Sequence, residues 1–176
     1  MPFLGVTMRI AKLSLVSFRC FGPKQATIGL NDLTALIGAN GTGKSAVLGA
    51  LVRLFGISQA DRILVRSDFH LPHDKDWDDL TEAELRIEAK IVFPELAGKS
   101  ADNDPVAASF RHMTITEHGK APYCRVRLEG KWQRSNLPEG EIEQRLVWVT
   151  SPTGTKETDE RTVSIQAHDR SRIHVH

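Results

Sequence analysis

Eight consecutive residues, Gly38-Ala39-Asn40-Gly41-Thr42-Gly43-Lys44-Ser45, have the types and spacing needed to hold a polyphosphate. Gly38, Gly41 and Gly43 lack a Cβ, so the backbone can take positive φ values and turn several N–H groups onto one anion. Lys44 adds a compact positive charge that can reach β- and γ-phosphates, and the Ser45 hydroxyl is sized to ligate a Mg²⁺ that keeps most of its waters. The pattern G-x-x-x-x-G-K-[ST] is that of a P-loop. The expected contact set for a nucleoside triphosphate therefore runs through Gly38, Ala39, Asn40, Gly41, Thr42, Gly43, Lys44, Ser45 and Ala46, with Ser45 as the Mg²⁺ ligand.

Such a loop works only between a strand and a helix, and its flanks are suited to both. Leu33, Ala35, Leu36 and Ile37 form a short apolar run that predicts a strand leading into the loop. From Lys44 to Phe55, Val47, Leu48, Leu51, Leu54 and Phe55 fall on one broad helical face, and Gly56 is placed to end the helix. The partial positive charge at that helix's N-terminus also favours phosphate. Two earlier strands are expected, one over 8–18 that ends at Gly22-Pro23 and one over 27–30 that closes at Asn31-Asp32.

The chain has 176 residues, enough for one domain with a real core, and its 40% hydrophobic and 26% charged content is that of a globular protein. No apolar run approaches the roughly 20 residues that span a bilayer, and no signal peptide is visible, so a cytoplasmic protein with no membrane partner is expected. Net charge is only +1, but Arg9, Lys12, Arg19, Lys24, Lys44 and Arg53 face a single acid, Asp32, within residues 1–56. That basic end coincides with the phosphate loop; DNA binding does not follow from it. Cys20 and Cys124 are far apart and lack C-x-x-C spacing, which fits two free structural thiols.

Beyond Gly56 the pattern changes. Asp74, Asp76 and Asp78 alternate as in a calcium loop, but Asp79 stands where the sharp-turn glycine belongs and Leu85 where the closing glutamate belongs. His70 and His73 have no cysteine near them to complete a zinc site. A solvated acidic loop is the expectation. Residues 84–93 then alternate strictly, with Leu85, Ile87, Ala89, Ile91 and Phe93 opposite Glu84, Arg86, Glu88 and Lys90, as in an antiparallel sheet wet on one face. Further strands are expected over 113–116, 123–128, 141–149, 162–167 and 172–175, separated by a loop at 101–105 and turns at His118-Gly119 and Glu129-Gly130.

A complete ATPase also needs an acidic residue closing an apolar strand, often followed by a catalytic glutamate, and neither is found. Ile63-Leu64-Val65-Arg66-Ser67-Asp68 is the nearest imitation, with Asp68 the first candidate for an overlooked acid. The chain thus reads as half of an ATPase and as a piece of a longer protein.

The opening from Met8 through Arg19 to Gly22, followed by two strands and the P-loop, resembles the N-terminal lobe of the RecF/SMC group of ABC-type ATPases. Within that group, Arg66-Ser67-Asp68-Phe69-His70 and Ile91-Val92-Phe93-Pro94-Glu95-Leu96 look like the OLD family (overcoming lysogenisation defect) of ATP-dependent endonucleases. The resemblance covers about the first hundred residues. It implies an α/β P-loop NTPase fold, the N-lobe of an ABC-type ATPase, with a mixed sheet around the P-loop helix and an antiparallel β subdomain. On this reading 8–56 form the P-loop core and 57–176 the β extension. It implies ATP and Mg²⁺ as cofactors, and pairing of ATPase heads in a homo-oligomer. DNA is the partner of a parent protein whose signature sequence and Toprim nuclease domain lie outside this chain. Arg19 matches a position that approaches the nucleotide in such heads, although a surface arginine at a strand end is its alternative. A RecF- or SMC-type head that uses ATP as a clamp, without nuclease activity, is the rival function. Alone, the chain is expected to bind nucleotide and hardly turn it over.

Overall fold

Alternation of apolar and polar side chains builds most of the molecule. The computed structural model describes residues 8–94 and 113–165. Within them, β1 (Arg9–Val16), β2 (Ala26–Gly29), β3 (Glu82–Val92), β4 (Tyr123–Gln133), β5 (Glu141–Val149) and β6 (Thr162–Ser164) form one six-stranded sheet in the order β2-β1-β3-β4-β5-β6. Every pairing is antiparallel, so the expected mixed sheet is corrected to a purely antiparallel one that joins the segments before and after Gly56. The loop expected at 101–105 and the strand at 172–175 lie outside the described residues, as does the end of the strand at 162–167.

Helix α1 (Lys44–Phe55) lies on one face of this sheet and buries Ala46, Val47, Ala50 and Leu54. They meet Leu13 and Leu15 of β1, Leu85, Ile87, Ala89 and Ile91 of β3, and Val126 and Leu128 of β4 in one core. Each fully buried Val, Leu or Ile contributes about 1.5–3 kcal/mol. Leu48, expected on the inner face of α1, is instead exposed together with Val52. The sheet contacts only the narrower stripe at positions 46, 47, 50 and 54, which leaves the flank at 48 and 52 uncovered. Gly56 caps α1 by donating to Val52 O at 2.8 Å, with an ordinary φ of −51°. A short helix α2 (Gln59–Arg62) follows, opened by a reciprocal Ser58–Asp61 cap.

Two further expectations are corrected. Residues 33–37 form no strand, and Leu33 and Ile37 are more than nine-tenths exposed. Among the described residues no strand lies beside this run, so its backbone has no ladder to join. Glu129-Gly130 is not a turn but the interior of β4, where Gly130 sits opposite Leu85. A Cβ at Gly130 would lie 2.4 Å from Leu64 Cδ1 and 3.3 Å from Phe69 Cζ; the glycine is there because the 64–69 segment packs directly on the strand.

The opposite face of the sheet is not simply wet. The segment 150–161, ending in a short turn over Glu157–Asp159, folds across it and encloses Glu88, Arg125, Arg127 and Glu160 in an ion-pair network.

Candidate nucleotide-binding site

Local backbone geometry at the loop follows from its glycines. Gly41 has φ +83° and Gly43 φ +91°, values costly for any residue with a Cβ. Gly43 is the N-cap of α1, and no side chain caps the helix or places an acid in its first turn. The first amides of α1 and their partial positive charge thus have no internal anion, which is the arrangement that receives phosphate. Thr42 closes the loop by donating from Oγ1 to Ala39 O at 2.9 Å. The Lys44 ammonium folds over the mouth, donating to Gly38 O and Ala39 O at 2.6 Å each. Ser45 is exposed beside it. Gly38 to Ala46 are therefore contiguous in space, as the loop requires.

Behind the loop stands the turn after β1. Ser17 and Arg19 both adopt left-handed φ values, +49° and +51°. The turn drives two side chains against the P-loop: a Cβ at Gly43 would stand 2.9 Å from Phe21 Cζ and 3.1 Å from Cys20 Sγ. Arg19 itself points elsewhere. Its Nε and Nη2 donate to Asp68 Oδ1 at 3.0 and 2.9 Å, and its Nη1 lies over Gly49 of α1. The geometry gives this arginine a buried carboxylate as its partner rather than the loop mouth.

What holds that strained turn is the segment Arg66-Ser67-Asp68-Phe69-His70. Asp68 is fully buried; its Oδ2 accepts from Arg53 Nε at 2.8 Å and from Val65 N at 3.1 Å. Its backbone carbonyl accepts from Arg19 N, His70 N donates to Ser17 O, and His70 Nδ1 lies 2.7 Å from Arg19 O. Phe69 forms a β-bridge with Phe18. One carboxylate thus ties the β1 turn to α1 through two arginines. This also disposes of Asp68 as an overlooked Mg²⁺ acid, because both its oxygens are already taken by Arg19, Arg53 and Val65 N. From the sequence Asp68 reads only as a candidate metal acid, His70 only as half of an incomplete zinc pair and Arg53 only as part of the basic balance; the dense polar pentapeptide after an apolar run is the signal for their joint role.

The acidic stretch adds no chemistry here. Asp76 N donates to Asp79 Oδ2 at 2.9 Å in a turn over Trp77–Asp79, and Asp74, Asp76, Asp78 and Asp79 are exposed. Among the described residues no three His, Cys, Asp or Glu side chains gather as a metal set. Cys20 and Cys124 are free, the first exposed and the second buried. No helix among them is long and apolar enough to cross a membrane.

The sequence profile of a family described as "AAA ATPase domain" matches residues 8–125. Two solved structures are similar. One comes from work on ATP-driven dimerisation and DNA-stimulated activation of SMC ATPases, at 25% identity and a TM-score of 0.40, over 78% of this chain and 68% of that one. The other is an SMC head bound to the C-winged helix domain of ScpA, at 24% identity and a TM-score of 0.40, over 78% of this chain. The chain spans 35% of that second structure's length. No protein of curated function matches the chain.

Proposed function

The chain belongs to the AAA ATPase domain family, and on that premise we propose that it binds ATP with Mg²⁺ at Gly38–Ala46 as the nucleotide-binding half of an ATPase head in an OLD-like, DNA-directed endonuclease. The observation that carries the ATP reading is the loop: two left-handed glycines, an uncapped α1 N-terminus without an acid, and a lysine folded over the mouth. The donor set fits a magnesium nucleotide. Loop amides and Lys44 suit β- and γ-phosphate oxygens, and the exposed Ser45 hydroxyl suits the metal, which when bound neutralises charge on those oxygens.

Among the described residues only this part of the machinery is supplied. Phosphoryl transfer also needs an acid to fix the metal through water and a group to orient the attacking water. Asp68, the nearest acidic candidate in the sequence, is bound to two arginines. The described residues therefore bind and orient the phosphates and leave the water unactivated. Arg19, proposed from the resemblance as a nucleotide contact, bears on the site through the turn that it anchors, its guanidinium being held by Asp68 and packed over Gly49. The endonuclease role and its DNA partner rest on the resemblance of Arg66–His70 and Ile91–Leu96, and the pairing of heads on that of Met8–Gly22 and the P-loop; the nuclease centre is expected outside these 176 residues.

Calorimetric titration of the chain with Mg-ATP, beside its Lys44→Ala variant, tests the site. A lost charge-assisted contact of about 1.5–3 kcal/mol corresponds to roughly ten- to hundredfold weaker binding. Unchanged affinity would overturn the assignment. Phosphate release should stay near background for both proteins; robust hydrolysis that vanishes in Lys44→Ala would overturn the half-site reading. For the finer role, ATP-dependent nicking of plasmid DNA by the parent protein is expected, and its absence would favour a clamp-type head.

A further inference from the structure

The face of the sheet turned away from α1 carries a second feature that ATP binding at the P-loop does not use. A cavity of about 360 Å³ lies between β1, β3 and β4 and the segment 150–161 that folds across them. Its charges do not balance. The carboxylates are Glu88, Glu157 and Glu160, and each is engaged by an arginine. Glu88 accepts from Arg125 Nε at 2.9 Å and from Arg127 Nε at 2.7 Å, Glu160 accepts from Arg125 and Arg127, and Glu157 pairs with Arg86. Lys12 and Lys90 also line the cavity, and among the described residues neither has an acidic partner.

These two lysines are directly opposed in the β1–β3 register, and Arg125 is opposed to Lys90 in the β3–β4 register, so a row of three cations crosses three adjacent strands. Like charges placed opposite each other destabilise a sheet, and folding alone gives no reason to line them up beside a cavity. The remaining surroundings reinforce the mismatch. The Lys90 ammonium sits 3.6 Å over the Tyr123 ring, while Glu117, the acid nearest to it electrostatically, is already bonded to Lys120 and the Tyr123 hydroxyl. Burial holds the Lys90 pKa below its ordinary value, and Lys120, Lys12 and Arg125 push the same way against Glu117.

We propose that this cavity binds a small phosphate ester or polyphosphate through Lys12 and Lys90, as a ligand site separate from the P-loop on the opposite face of the sheet. Two ammonium groups act as point charges for a dianion, a role that lysine fills without fixed geometry. Arg125, locked by Glu88, Glu160 and Ser151 O, supplies a stationary wall and is not itself the anchor. The ordered hydroxyls of Thr153 and Thr155 and the open, left-handed Gly154 line the rim. The volume suits a small ligand, and the roof over Arg125 and Arg127 leaves less room for a polymer.

The test is a pyrophosphate titration by calorimetry in the Lys44→Ala background, which weakens the P-loop, compared with the same protein carrying Lys12→Gln and Lys90→Gln. Saturable binding that weakens at least about tenfold per lysine is expected, with partial recovery in Lys90→Arg. By NMR, the depressed Lys90 pKa should rise when pyrophosphate binds. Thermal melting checks folding; Lys12→Gln should be as stable as the parent or more so, since a repulsion is removed, whereas Lys90→Gln also gives up the contact with the Tyr123 ring. Equal affinity with and without the lysines overturns the proposal, as does the absence of any pyrophosphate binding. Lysine-dependent binding of a short oligonucleotide without pyrophosphate binding also overturns it, in favour of a nucleic-acid surface.

Discussion

Replacing Asp68 with alanine tests the brace behind the phosphate loop more sharply than any change in the loop itself. The substitution strips four donors of their acceptor: Arg19 Nε at 3.0 Å and Nη2 at 2.9 Å, Arg53 Nε at 2.8 Å, and Val65 N at 3.1 Å. Deleting one partner of a buried ion pair costs about 3–5 kcal/mol, because the other charge is left unpaired. Here the arginine side chains are 34% and 14% exposed, so both guanidinium groups partly rehydrate. That discount places the expected loss at the low end, about 3 kcal/mol. For a chain of this size it corresponds to a fall in Tm of roughly 6–12 °C. Urea unfolding with an unchanged m value reads the free energy directly.

Arg66→Ala is the matched control. Arg66 belongs to the same pentapeptide, but its partners Glu139 and Pro138 O lie at the surface and its guanidinium stands 5.6 Å over the Trp77 ring, so about 1–2 kcal/mol at most is expected. A double-mutant cycle between Arg53→Ala and Asp68→Ala should give a coupling above about 1 kcal/mol. If Asp68→Ala costs less than about 1 kcal/mol, or no more than Arg66→Ala, the carboxylate does not tie the β1 turn to α1. The reasoning then fails.

Three other outcomes are expected. Leu33→Ser and Ile37→Ser should each change stability by no more than about 0.5 kcal/mol in urea unfolding, because both side chains already face water; a loss above 2 kcal/mol would restore a buried strand there. A thiol reagent at pH 8 should label Cys20 quickly and Cys124 only after denaturant is added, since burial pushes the Cys124 thiol up to about 11 against a weaker opposing hydrogen bond from Thr114, leaving about a thousandth of it as thiolate. Glu160 is lowered: burial opposes ionisation, but hydrogen bonds from Arg127 and Arg125 outweigh it. Its stabilising contribution is therefore complete above the unfolded carboxylate pKa near 4.3 and is lost as pH falls through the lower folded value, so Glu160→Gln should flatten the acid limb of stability measured from pH 6 to 3.

Elements whose causes are local were legible in the sequence. The P-loop glycines, α1 from Lys44 to Phe55 and the alternation that became β3 each depend on neighbours within a few residues, and the structure places them accordingly. The apolar run at 33–37 has the right composition for a strand, but a strand is defined by the chain beside it, and composition does not supply one. Gly130 misled in the same way. A glycine after an acid is a good turn signal; what decides its role is Leu64 and Phe69, some sixty residues earlier, pressing on the position where a Cβ would be.

Polar residues show the same divide with greater consequence for function. Asp68 ends an apolar run and so imitates a metal-binding acid, and Glu88 alternates onto a face that reads as solvent. Neither reading can see Arg19, 49 residues before Asp68, or Arg125 and Arg127, 37 and 39 residues after Glu88. A carboxylate enclosed by arginines is a structural tie, whereas the same carboxylate beside Ser45 would be catalytic; the distinction lies wholly in the partner. The inverse holds for Lys12 and Lys90. Each is an unremarkable strand lysine until the β1–β3 register sets them opposite each other, while the surrounding acids are committed to Arg86, Arg125 and Arg127. Among the described residues those two are left without an acidic partner, and such a pair of like charges beside a cavity is what a ligand anion would complete.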